Sequence, residues 1–85
     1  MRLVIQRVSE ASVAVPAEGY ESKIGHGLLV LAAFIEEDTE EDLQWTARKL
    51  VAMRIFDDAD GVMNLSVQDV AGEIMIVSQF TLYAS

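Results

Sequence analysis

The chain contains no cysteine, one proline, one histidine, and only six basic residues against fourteen acidic ones. Without cysteine there is neither a disulfide framework nor a thiolate metal site, which excludes a disulfide-stapled secreted scaffold and fits a reducing, cytosolic setting. The shortage of bases leaves a net charge of −8, which repels a phosphate backbone at long range and argues against sequence-independent binding of DNA or RNA. Six of the fourteen acids lie in one run, Glu36, Glu37, Asp38, Glu40, Glu41 and Asp42, so the rest of the chain is much closer to neutral. Long apolar runs are also missing: GLLVLAAFI is too short to span a bilayer, and the opening MRLVIQRV carries charge inside its apolar stretch, unlike a signal peptide. A soluble protein without a membrane partner is expected. No internal repeat, low-complexity tract or Gly/Ser/Pro-rich linker divides the chain.

What is present is apolar. Hydrophobic residues make up 52% of the 85 residues, more than a disordered chain carries. A chain this short buries only somewhat more than ~60% of its unfolded surface. The apolar excess therefore points to an oligomer or to a missing segment.

Arg2–Val8 is rich in β-branched and aliphatic residues, and Ala11–Val15 alternates, so both read as strands with Ser9-Glu10 as a tight connection. Pro16 with Glu18-Gly19-Tyr20-Glu21 supplies turn chemistry, and Ile24-Gly25-His26-Gly27 leads into the apolar run 28–35, which suits a strand covered on both faces. The acidic run starts a helix: Asp38 or Thr39 is placed to cap it, and Glu40, Glu41 and Asp42 complement the positive end of its dipole. Leu43, Ala47, Leu50 and Val51 fall on one face, with Arg48, Lys49 and Arg54 toward the other end. Ile55-Phe56 and residues 62–65 read as two short strands joined by Asp57-Asp58-Ala59-Asp60-Gly61. Those aspartates do not make a calcium loop, because Val67 and Gln68 stand where a glutamate ligand is needed. Ala71-Gly72 turns the chain into residues 73–83, the longest strand candidate. The expected fold is α+β, a mostly antiparallel sheet in the form of a partial barrel with one helix packed on it.

The last candidate strand changes character. Ile74, Met75, Ile76 and Val77 are followed by Ser78-Gln79-Phe80-Thr81-Leu82-Tyr83-Ala84, where alternation puts Ser78, Phe80 and Leu82 on one face and Gln79, Thr81 and Tyr83 on the other. By pattern alone this is an edge strand with one wet face. No Ser/His/Asp arrangement stands out, and His26, between two glycines, reads as a solvated loop residue. Arg7 interrupts an apolar strand, so it is either outward and solvated or inward and paired.

The segment from Ser78 to Ala84 resembles the signature of the D-aminoacyl-tRNA deacylases, also known as the D-tyrosyl-tRNA deacylase family. Further stretches are similar to that family in the same order: Gln6-Arg7-Val8, Ala11-Ser12-Val13, Ile24-Gly25, Gly27-Leu28-Leu29-Val30, Arg54-Ile55-Phe56, Asp60-Gly61 and Met63-Asn64-Leu65. The resemblance implies hydrolysis of the ester of D-aminoacyl-tRNA, with glycyl-tRNA mischarged on tRNA-Ala as a further substrate. It implies a cytoplasmic homodimer with the active site at the subunit interface, and needs no cofactor or metal. It places the catalytic role on Gln79, Phe80 and Thr81, with main-chain N–H groups around Gln79 and Phe80 holding the oxyanion. Ser78, Tyr83 and Ala84 are implied in substrate binding, and Arg7 in a supporting role that braces the partner's chiral-selection loop. Thr81 lacks an adjacent base, so a water attack assisted by the substrate's ribose hydroxyl is expected, with Thr81 positioning it.

The family's second signature, Asn-x-Gly-Pro-Val-Thr, is absent, and Ser85 stands where an acidic or amide residue is usual. The expectation is one domain, residues 1–85, truncated relative to the family and prone to self-association. The alternative to an enzyme is a non-catalytic acidic oligomerisation module that retains the fold.

Overall fold

The computed structural model describes residues 1–78. Seven strands and one α-helix follow in order: β1 (Arg2–Val8), β2 (Ala11–Val15), β3 (Tyr20–Ile24), β4 (Gly27–Ala33), α1 (Glu40–Ala52), β5 (Phe56–Asp57), β6 (Met63–Leu65) and β7 (Glu73–Ser78). β1 and β7 flank β4, antiparallel and parallel to it respectively, while β2 pairs with β3 and β5 with β6, both antiparallel. The architecture is α+β with a mostly antiparallel, open sheet arrangement, as the pattern implied.

The apolar run 28–35 supplies the central strand for a physical reason. Paired on both edges, it buries Leu28, Val30 and Ala32 on one face to at most 1% exposure, whereas on the other face Ala33 is buried but Leu29 and Leu31 are half-buried, so the cover expected on both faces is complete on one. The strand ends at Ala33, and Phe34 and Ile35 lie exposed beyond it. Leu28 and Val30 join Leu50, Phe56 and Val67 in the core.

Three local readings differ from expectation. The polar stretch Tyr20–Ile24, expected partly as a turn, is strand β3. Its register sets Ile24 beside Ala11 and Ser22 beside Val13, so the 3₁₀ turn Pro16–Glu18 closes a hairpin with β2. Ser9-Glu10 joins two strands that do not pair with one another. Finally, of the apolar helix face only Leu50 is buried; Val51 is half-buried, and Leu43 and Ala47 are exposed.

The helix start follows the reading closely. Thr39 Oγ1 accepts from the Asp42 N–H at 3.1 Å and Asp42 Oδ2 accepts from the Thr39 N–H at 3.0 Å, a reciprocal capping box. Thr39→Ala removes one half of it and is expected to cost about 1 kcal/mol. Thermal unfolding followed by circular dichroism checks this, with a fall in Tm of roughly 4–8 °C. Ser66 and Asp69 make the same reciprocal pair at the turn before β7, at 2.9 and 3.2 Å.

Aspartates hold three of the connections, and each is more acidic folded than unfolded. The Ile35 N–H, then the chain's amino group, lower the pKa of Asp38; the Val62 N–H lowers that of Asp58; the Ser66 N–H and hydroxyl lower that of Asp69. Below the ordinary value of 3.8 the unfolded chain takes up these protons first. The stabilisation is therefore complete well above that pH and is lost as pH falls through the folded values. Urea midpoints measured from pH 7 downward should stay level until about pH 5 and then drop; Asp58→Asn should flatten part of the drop.

Candidate functional site

β4 and β7 run parallel, with Ser78, the last described residue, in register with Ala32 and Ala32 with Leu3. Ser78 is exposed, as are Phe34 and Ile35, which follow the last residue of β4. The other expected residues of the signature, Gln79, Phe80, Thr81, Tyr83 and Ala84, lie outside the described residues.

Arg7 stands at the opposite end of the sheet. It is in register with Leu28, which in turn faces Ile74, four positions from the Ala32–Ser78 pair. At ~3.3 Å per residue that is about 13 Å along the strand. Within one chain, therefore, the structure does not bring Arg7 to Ser78. The side chain of Arg7 leaves β1 on the face shared with Leu3, Ile5 and Leu28 and is paired at the edge of the core: Nη1 donates to the Ile55 carbonyl at 2.8 Å and lies 3.6 Å from Asp57 Oδ1. Both residues are about half exposed, so the ion pair itself contributes little.

Other motif segments do meet. Arg54 Nε donates to the Asn64 carbonyl at 2.8 Å, and its guanidinium also bonds the Asn64 side chain. Phe56 is in register with Leu65, so two stretches ten residues apart form one hairpin. Asp58 closes it by accepting from the Asp60 and Val62 N–H groups at 2.8 and 3.1 Å. These aspartates serve the turn, and no group of His, Cys, Asp or Glu suited to a metal occurs among the described residues.

His26 is an exposed loop residue, as read, and it also ties two loops together. Its Nε2 lies 2.9 Å from the Val70 carbonyl, which can only accept, so Nε2 carries the proton. Its own carbonyl accepts from the Glu73 N–H at 3.0 Å, and Glu73 Oε1 accepts from the Gly25 N–H at 3.0 Å. His26, Arg7, Ser9 and Asp57 line a cleft of about 350 Å³. Beyond the Gly-His-Gly spacing this grouping is not legible in the sequence, since its members come from separate segments.

The fold defines an α+β sheet protein, and of the expected signature residues it describes Ser78 alone. A sequence model of the family described as D-Tyr-tRNA(Tyr) deacylase matches residues 4–85, and the chain belongs to that family. It is 59% identical over 85 residues to the D-aminoacyl-tRNA deacylase of Akkermansia muciniphila. It is 58% identical over 84 residues to that of Chlorobaculum parvum. Each match takes in 99–100% of this chain and 56% of the relative, so the chain spans little more than half the length of these curated relatives. Among solved structures, the c-Myc DNA Unwinding Element Binding Protein superposes with a TM-score of 0.87 at 43% identity, covering 99% of this chain and 56% of that one. No helix among the described residues is long and apolar enough to cross a membrane.

Proposed function

We propose that the protein is a D-aminoacyl-tRNA deacylase that cleaves the ester between a D-amino acid and the terminal ribose of tRNA, with glycyl-tRNA as a further substrate. The observation that carries this reading is the family match along residues 4–85, which takes in the whole Ser78-to-Ala84 segment. Water adds to the ester carbonyl, the carbonyl oxygen becomes an oxyanion, and the acyl C–O bond breaks. The ribose oxygen leaves with a proton, and free D-amino acid is released.

Main-chain N–H groups around Gln79 and Phe80 hold the oxyanion. Donors of this kind need no titratable side chain, because preorganised amides stabilise negative charge where it develops. Thr81 orients the water while the neighbouring ribose hydroxyl assists its attack. Ser78, Tyr83 and Ala84 contact the substrate. The exposure of Ser78, the last described residue, supports this placement.

The unit is a single domain over residues 1–85 that works as a cytoplasmic homodimer, binding tRNA at a site shared between subunits in translation quality control. The 13 Å or so between Arg7 and Ser78 along the sheet supports a shared site, since one copy's Arg7 then serves the other copy's reaction. Release of D-amino acid from charged tRNA tests the proposal, using the 85-residue chain and a version extended with the remaining residues of the Akkermansia muciniphila relative. Turnover by either supports it; none by either overturns it.

A further inference from the structure

An acidic chain that handles RNA has to keep its few cations where phosphates can reach them. Arg7 is paired with Asp57, Arg54 holds Asn64, and Lys23 shares its cleft with Glu10 and Glu21. Arg48 and Lys49 differ: both are exposed on α1, and neither has an ion-pair partner among the described residues. Trp45, 57% exposed, belongs with them. Lys49 Nζ lies 5.4 Å from the centre of its ring, and Arg48 borders a cleft walled by the same indole. The indole also walls a groove of about 420 Å³ between β1 and α1, floored by Leu3, Ile5, Leu50 and Met53. Asp38 and Asp42 line the groove toward the helix start. Asp38 is taken up by the chain's amino group and the Ile35 N–H, whereas Asp42 gives Oδ2 to the Thr39 N–H and keeps Oδ1 to accept.

We propose that this groove binds one nucleobase of a single-stranded stretch of the RNA substrate. The base stacks on Trp45 and presents an exocyclic amino group to Asp42, while the phosphates on either side of it meet Lys49 and Arg48. A stacked base is worth more than an exposed cation–π contact, so it displaces the Lys49 ammonium from the ring toward a phosphate. Single strands are required, because a duplex hides the faces of its bases. Cytosine and adenine carry the amino donor that a carboxylate accepts from; uracil does not. The position fits the proposed reaction, on which this choice of occupant rests. Leu3 is in register with Ala32, and Ala32 with Ser78. The groove thus begins about 10 Å from Ser78, two strand spacings away, a span of a few nucleotides at ~3.4 Å or more each.

Trp45 is the only tryptophan, so quenching of intrinsic fluorescence reports the contact without a label. The 85-residue chain is titrated with trimers of cytidylate and of uridylate, with an RNA duplex and with inorganic phosphate. The cytidine trimer should quench saturably, the uridine trimer should bind more weakly, and duplex and phosphate should not quench. With two phosphates engaged, log K should fall against log salt with a slope of about −1.4. By calorimetry, Trp45→Leu, which keeps the groove apolar, should weaken binding on the order of tenfold. Lys49→Gln should halve the salt slope to about −0.7, and Asp42→Asn should abolish the preference for cytidine. Lys23→Gln, on β3, should change none of these, and circular dichroism of each variant should match the parent. Absence of quenching, equal quenching by duplex or phosphate, or equal affinity for the two trimers overturns the inference. None of these arms needs turnover: an extended version that releases D-amino acid without Trp45 quenching keeps the proposed reaction and loses this site.

Discussion

Gly27→Ala is expected to cost more than about 3 kcal/mol and to lower Tm by more than roughly 12 °C, a large part of what so small a domain has to lose. Gly27 opens β4 with φ of +156°, in a region that L side chains rarely adopt. A Cβ built there falls 1.8 Å from the Glu73 carbonyl oxygen and 2.7 Å from both its carbonyl carbon and its nitrogen. Those atoms are main chain and cannot rotate away. They are also fixed from several sides, by the Glu73–His26 and Gly25–Glu73 hydrogen bonds and by the row Val8–Gly27–Glu73 across all three strands. The first parallel pair of the sheet therefore has to open for any side chain to enter. Gly61→Ala, at a positive φ but with nothing within 4 Å, should cost much less. Parallel urea titrations decide the matter: similar midpoints for the two variants would contradict the close approach of β4 and β7.

The second large effect concerns the proposed chemistry. Proline has no N–H, so Gln79→Pro removes a main-chain donor while leaving every titratable group in place. If that donor holds the oxyanion, kcat for D-aminoacyl-tRNA hydrolysis should fall by about 10²–10³. Gln79→Ala keeps the amide and should stay within about tenfold of the parent, because on this proposal the side chain is not the donor. Single-turnover release of D-amino acid, measured on the extended version with circular dichroism as a check on folding, separates the two variants. Equal activity of Gln79→Pro and Gln79→Ala would remove the main-chain amide from the mechanism. A loss confined to Thr81→Ala would instead restore a hydroxyl nucleophile.

Several elements were legible because one physical signal fixed each of them. The run 28–35 fits best between two strands with its apolar side chains covered, and residues 28–33 of it lie in β4, fully covered on one face and partly on the other. The acidic run at 36–42 starts a helix because Thr39 and Asp42 satisfy each other's N–H groups, whatever else surrounds them. The 57–61 turn and the Ala71-Gly72 turn were written in residues that bend the chain locally. β3 was not legible: Tyr20–Ile24 is largely polar, and it is strand because β2 offers a matching edge. Nor was the poor cover of α1, because periodicity names an apolar face without saying how wide a surface waits opposite.

The candidate site divides along the same line. The Ser78-to-Ala84 signature and the ordered stretches along the chain are properties of the sequence, and they alone determine the family. Where Arg7 points, what His26 holds and how far Arg7 lies from Ser78 depend on which strands pair and in what register. Pairing is settled by contacts among residues far apart in the chain, and no local pattern encodes them. The sequence thus determined the elements and the chemistry available to them. Only the tertiary structure decided which residues share an end of the sheet, because the strand order β1–β4–β7 is chosen by burial of Leu28 and Val30 rather than by any segment acting alone.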